Sequence, residues 1–122
     1  MKNNYFEFFI TSKEGMVIIT LVGEITPDAK NTLDTCISEI NQYSEEMGII
    51  YVRDLSSISE DSFLDLKRFI DQLREKFKTN FSICSLKPTL RVILQNQNIS
   101  QKEDFTNNLK DTVIDFLSKS SS

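Results

Sequence analysis

Apolar positions along the chain recur with two different periods, and the switches between them predict the elements. Tyr5–Ile10 (YFEFFI) is short and aromatic-rich, the signature of a β-strand. Ser12-Lys13-Glu14-Gly15 reads as a turn, with Gly15 free to adopt positive φ. Met16–Ile25 (MVIITLVGEI) is β-branched and apolar on both alternating faces, which predicts a strand buried on both sides, inside a sheet. The two strands make a hairpin. At Thr26-Pro27-Asp28 a helix starts: Thr26 can cap, Pro27 suits the first helical position, and Asp28 favours the positive dipole end. Ala29, Leu33, Cys36, Ile37, Ile40 and Tyr43 then share one face of a 3.6-residue period. Ser44–Gly48 ends that helix, and Ile49–Val52 supplies a third strand running into Arg53-Asp54-Leu55.

Ser56–Glu60 reads as a polar connector. Phe63, Leu66, Phe69, Ile70, Leu73 and Phe77 form the stripe of a second helix. Its charges are sorted as the helix dipole prefers, with Glu60, Asp61 and Asp65 early and Arg74, Lys76 and Lys78 late. Phe81–Cys84 is a fourth strand, and Lys87-Pro88 opens a short helix carrying Leu90, Ile93 and Leu94. Ser100 and Glu103 have capping-box spacing ahead of a last helix on Phe105, Leu109, Val113, Phe116 and Leu117. Ser118–Ser122 is expected to be a frayed tail. This order predicts an α/β fold: one domain over 1–122 with its core at about 5–117, and a mixed sheet of about four strands with helices packed mainly on one face. Asp54–Ser62 should then lie at the carboxyl edge of the sheet, where open α/β sheets bind partners and ligands.

Composition narrows the chemistry. Fourteen basic against eighteen acidic residues leave a net charge of −4, contrary to a nucleic-acid footprint. No apolar run approaches the ~20 residues of a membrane helix, and the N-terminus lacks a signal-peptide pattern, so a cytoplasmic protein is expected. Histidine is absent, which removes the commonest general base and the commonest metal ligand. Cys36 and Cys84 are far apart in sequence and sit among apolar neighbours, as reduced core thiols do, and a structural zinc site would need four ligands. Three glycines and no phosphate-binding motif leave little to build a phosphate cradle. No catalytic residue, metal or cofactor is therefore expected, and the chain is not read as an enzyme.

Four stretches in order carry a resemblance. They are Leu21-Val22-Gly23-Glu24-Ile25 before the first helix, Asp54-Leu55-Ser56, Asp61-Ser62, and Leu86-Lys87-Pro88 with Leu90-Arg91-Val92-Ile93-Leu94. Together they make nearly the whole chain resemble the STAS family, the sulphate-transporter and anti-sigma-factor-antagonist domains. The resemblance implies a non-enzymatic binding module of bacterial signal transduction and transcription regulation, working by partner switching. The implied partner is an anti-sigma-factor kinase or another STAS protein, with no nucleic acid and no membrane, and the chain itself a monomer or weak homodimer. The implied partner surface comprises Asp54, Ser56, Ser57, Ser59, Glu60, Asp61, Ser62 and Phe63, with Ser62 as the candidate phosphate acceptor. A phosphate there adds about −1.5 to −2 charge beside Glu60, Asp61 and Asp65, enough to repel an acidic or apolar partner surface.

The chain also departs from the family. Where members read Asp-Ser-Ser-Gly or Asp-Ser-Thr-Gly, it has Asp61-Ser62-Phe63-Leu64, and the connector after Asp54-Leu55-Ser56 is one residue shorter. An ungapped alignment puts Phe63 at the phosphorylated position, which implies a constitutive binder or scaffold; a small-molecule or nucleotide sensor is the other alternative. Local readings stand beside these. Ser59 or Asp61 can be a helix N-cap, Ser62 a first-turn hydroxyl, and Asp54 an acceptor of backbone N–H at a strand end. Glu60, Asp61 and Asp65 can simply offset the helix dipole, and Tyr5, Phe6, Phe8 and Phe9 divide between core and an exposed, interface-prone half.

Overall fold

The computed structural model describes residues 5–120. The opening hairpin forms as β1 (Phe6–Lys13) and β2 (Met16–Ile25), paired antiparallel. β1 runs past the expected Ile10 because the turn needs only Glu14 and Gly15, both at positive φ. β2 then acts as the spine of the sheet. β3 (Met47–Tyr51) pairs parallel with its Met16–Thr20 half, and β4 (Leu55–Ile58) pairs parallel with Gly23–Ile25. β5 (Phe81–Cys84) and β6 (Phe105–Thr106) continue beyond β3, giving the order β1-β2-β3-β5-β6 with β4 beside the far end of β2.

The sheet is mixed, as expected, but among the described residues it has six strands rather than four. The two extra strands are those whose period is too short to read. β4 (Leu-Ser-Ser-Ile) buries only its end residues Leu55 and Ile58, so it looks like a polar connector. Phe105 pairs with Ile83 in the two-residue β6 and does not begin the last helix.

Helices follow short 3-10 turns. Pro27–Ala29 leads into α1 (Lys30–Ile40), and Glu60–Ser62 leads into α2 (Phe63–Phe77). α3 (Pro88–Asn96) and α4 (Leu109–Ser120) follow. Leu33, Ile37 and Ile40 of α1, Leu66, Phe69, Ile70 and Leu73 of α2, and Leu90 and Leu94 of α3 join Val17, Ile19, Leu21, Ile50 and Ile83 in one core. α4 packs Phe116 on the opposite face, over Met16, Ile18, Ile49 and Cys84. The double burial of β2 is explained by this sandwiching, and three of the four described helices lie on one face.

Three local expectations change. Thr26 holds the N-cap position without a side-chain bond. Ser100 and Glu103 form no capping box; the Asp104 carboxylate instead accepts the Gln101 N–H at 2.9 Å while pairing with Arg74 of α2. α4 continues to Ser120 through most of the expected tail, whose Ser121 and Ser122 lie outside the described residues. Cys36 and Cys84 are buried free thiols.

Candidate functional site

The region singled out by sequence sits where β2 exchanges one parallel neighbour for another. After β3 the chain turns through Val52-Arg53-Asp54 and returns to β2 as β4, so that Asp54 through Ser62 lies beyond the carboxyl end of β3. Gly23 makes the exchange possible. Its φ is +105°, and a Cβ there would stand 2.1 Å from the Tyr5 carbonyl oxygen, so only glycine fits. The Gly23 N–H donates to the Asp54 carbonyl at 3.1 Å, its carbonyl accepts the Ser56 hydroxyl at 3.0 Å, and the ladder to β4 shifts register at Gly23/Glu24. At this strand end Asp54 thus engages backbone through its carbonyl, and its side chain is exposed. Beside it Arg53 is held above its ordinary pKa, first by the Tyr51 hydroxyl and then by the Asp54 carboxylate.

The serine cluster separates into two kinds of residue. Ser56 is exposed and Ser57 half-buried opposite Glu24 of β2, with Glu60 and Asp61 exposed on the following turn. Ser59 and Ser62 face inward and fasten the turn to β2. The Ser59 N–H donates to the Ile25 carbonyl at 2.8 Å, and the Ser59 and Ser62 hydroxyls lie 3.0 Å apart. Ser62 is 0% exposed, with its Oγ 2.8 Å from the Ser59 carbonyl and 3.2 Å from that of Ile25. Ser59 and Ser62 occupy the N-cap positions of the 3-10 turn and of α2, yet neither caps a backbone N–H with its side chain. The Ser62 hydroxyl is therefore enclosed, held by the Ser59 and Ile25 carbonyls. Phe63 is half-buried and packs against the core.

One residue of this surface was outside the sequence-based set. Leu64, in the first turn of α2, is 68% exposed, whereas Leu66, Phe69, Ile70 and Leu73 on the stripe are buried. Its signal was its place: an apolar residue on the polar face of an otherwise sorted helix. Glu60, Asp61 and Asp65 do not converge as ligands; among the described residues no group of three or more Cys, Asp or Glu could hold a metal ion, and Asp65 stands 3.9 Å from Arg68. A cleft of about 380 Å³ exists elsewhere, lined by Arg91, Phe105, Thr106, Asp111 and Phe116. No described helix is long and apolar enough to cross a membrane.

No family model and no curated protein matches the sequence. Solved structures are similar in fold. An anti-sigma factor antagonist from Mycobacterium paratuberculosis superposes with a TM-score of 0.71 at 14% identity, over 93% of this chain and 95% of that one. The anti-sigma factor antagonist SpoIIAA in its unphosphorylated form gives 0.66 at 16% identity, over 92% and 96%. The Bacillus cell fate determinant SpoIIAA in the phosphorylated form gives 0.63 at 18%, over 90% and 98%. The chain has the STAS fold of these anti-sigma factor antagonists.

Proposed function

We propose that the chain is a non-enzymatic, cytoplasmic regulatory module of bacterial signalling that works as the anti-sigma-factor antagonists do, by docking a protein. The partner is an anti-sigma-factor kinase or another STAS protein, and the docking surface is β4 with the first turn of α2. The observation that carries this reading is Leu64, a large apolar side chain left 68% exposed in the first turn of α2, which follows the exposed Ser56, Glu60 and Asp61 in the chain. An apolar anchor inside a polar rim is the anatomy of a protein interface. Enclosure of the Ser62 hydroxyl supports the constitutive version of this function over the phosphate-switched one, because phosphoryl transfer needs an oxygen that a kinase can reach.

The test is affinity capture from the cells that express the protein, followed by titration of the purified partner against wild type, Leu64→Glu and a control, Val92→Glu, at an exposed apolar site on α3. Capture of an anti-sigma-type kinase or a STAS protein is expected, with Leu64→Glu weakening it about ten- to a hundredfold and Val92→Glu leaving it unchanged. Equal effects at the two positions, or no such partner, refute the docking surface. Phosphopeptide mapping after incubation with that partner and ATP decides between versions. An unmodified Ser62 in an intact complex supports the constitutive one, and a phosphate on Ser62 that releases the partner overturns it.

A further inference from the structure

We infer that the outer edge of β1 is a self-association surface, on which a second copy of this chain adds its own β1 antiparallel to extend the sheet across a two-fold axis. This inference is independent of the docking surface at β4 and α2. β1 ends the strand order, and among the described residues no strand pairs with its outer side over the length Phe6–Lys13. Such an edge is a template for another strand unless charge, proline or a bulge blunts it. Here the pairing with β2 is unbroken from Phe6 to Lys13, without bulge or proline.

The hydrogen-bond phase specifies how a second copy would fit. The Tyr5 carbonyl accepts the Glu24 N–H at 2.9 Å, so Tyr5 and, by the two-residue period, Glu7, Phe9, Thr11 and Lys13 direct their backbone groups at β2. Phe6, Phe8, Ile10 and Ser12 therefore direct theirs outward. Their side chains lie on the face covered by α1–α3, where Phe6, Phe8 and Ile10 are only partly buried. On the opposite face α4 covers Met16, Ile18, Ile49 and Cys84, but leaves Tyr5 57% and Phe9 55% exposed.

A two-fold placed at Phe9 satisfies every one of these features. Phe9 meets Phe9 of the second copy as a non-hydrogen-bonded pair, the kind in which side chains approach most closely. Phe8 and Ile10 exchange backbone hydrogen bonds with their counterparts and close over each other's exposed sides. Tyr5 stands opposite Lys13, and Glu7 opposite Thr11 with Lys13 one diagonal step away, so opposite charges meet across the axis and like charges do not. Among the described residues the sheet otherwise ends at β6, with two residues, and at the off-path β4, with four, and neither can receive an eight-residue strand. Growth therefore stops at a closed dimer, not at an open filament.

Sedimentation equilibrium of wild type against Phe9→Lys tests the surface, with circular dichroism melts as the folding control. A concentration-dependent dimer is expected for wild type and a monomer for Phe9→Lys, whose two lysines would face each other on the axis. Disulfide trapping tests the register without relying on that variant: Cys36 and Cys84 are buried, so a thiol introduced at Phe9→Cys should cross-link to its own copy under mild oxidation. Thr11→Cys, moved off the axis, should not. A wild type that is monomeric at every concentration overturns the inference and leaves the edge for a strand from another protein. A dimer kept by folded Phe9→Lys, or cross-linking at Thr11→Cys as readily as at Phe9→Cys, overturns it as well.

Discussion

Replacing Ser62 with aspartate separates an enclosed clasp from an accessible switch. In the clasp, the new carboxylate would lie in a site with no solvent exposure, facing the carbonyl oxygens of Ser59 and Ile25, which now stand 2.8 and 3.2 Å from the hydroxyl. Neither carbonyl can donate, and the Ser59 hydroxyl, 3.0 Å from the present Oγ, offers a single donor, so the group either takes up a proton or pulls the turn open. Holding an aspartic acid neutral at pH 7, about three units above its ordinary value, costs about 4 kcal/mol. For a chain of this length 1 kcal/mol moves Tm by about 4 °C, so a fall of roughly 15 °C is expected. Ser62→Ala should be far milder. The Ser59 carbonyl keeps the Ser62 N–H at 3.1 Å and the Ile25 carbonyl keeps the Ser59 N–H at 2.8 Å, so neither is orphaned and about 1 kcal/mol is lost. The pH dependence has a definite sign. The introduced group's folded pKa is raised, so its deficit against wild type is full at pH 7 and shrinks as pH falls toward 4, where the unfolded chain is protonated too. Thermal melts by circular dichroism at pH 4 and pH 7 read all three quantities. A Ser62→Asp protein melting within about 3 °C of wild type at pH 7 would show the hydroxyl to be open to solvent and would restore the switch.

Gly23→Ala should cost on the order of 3 kcal/mol in urea unfolding, since the methyl group combines positive-φ strain with a collision at the Tyr5 carbonyl; a neutral result would mean the exchange between β3 and β4 does not depend on that approach. Leu33→Ala, at a side chain 2% exposed in the α1 core, should cost roughly 2–5 kcal/mol by the same measurement. Burial first, and then the Glu39 carboxylate, push the Cys36 thiol from 9.0 up to about 12. It should resist iodoacetamide in the native protein at pH 8. Because its folded pKa is the higher one, its contribution to stability should be intact below pH 9 and lost as pH rises from 9 toward 12.

Much of the architecture was legible because it rests on neighbours in sequence. The alternation of Met16–Ile25 and the stripes Leu33–Ile40 and Leu66–Phe77 are each read within a few turns of backbone, and each buries the residues expected. The resemblance to the STAS family rested on four short stretches in order, and the superposition on the anti-sigma factor antagonists agrees with it in fold. β4 and β6 escaped because two to four residues carry too few apolar positions to show a period, and they become strands only when β2 and β5 offer hydrogen bonds.

The candidate site divides along the same line. That Asp54–Ser62 lies at the carboxyl edge follows from the order of elements, a property of the sequence alone. That Ser62 is enclosed does not. Its hydroxyl is held by Ser59, three residues away, and by Ile25, thirty-seven residues away, and their convergence requires Gly23 to admit the Tyr5 carbonyl and β4 to return to β2. Leu64 and Leu66 have the same side chain two positions apart, and the helical period already sets Leu64 off the stripe that packs on the sheet and Leu66 on it. Period and composition act locally and can be read along the chain; burial of one hydroxyl is a long-range outcome, decided where distant segments meet.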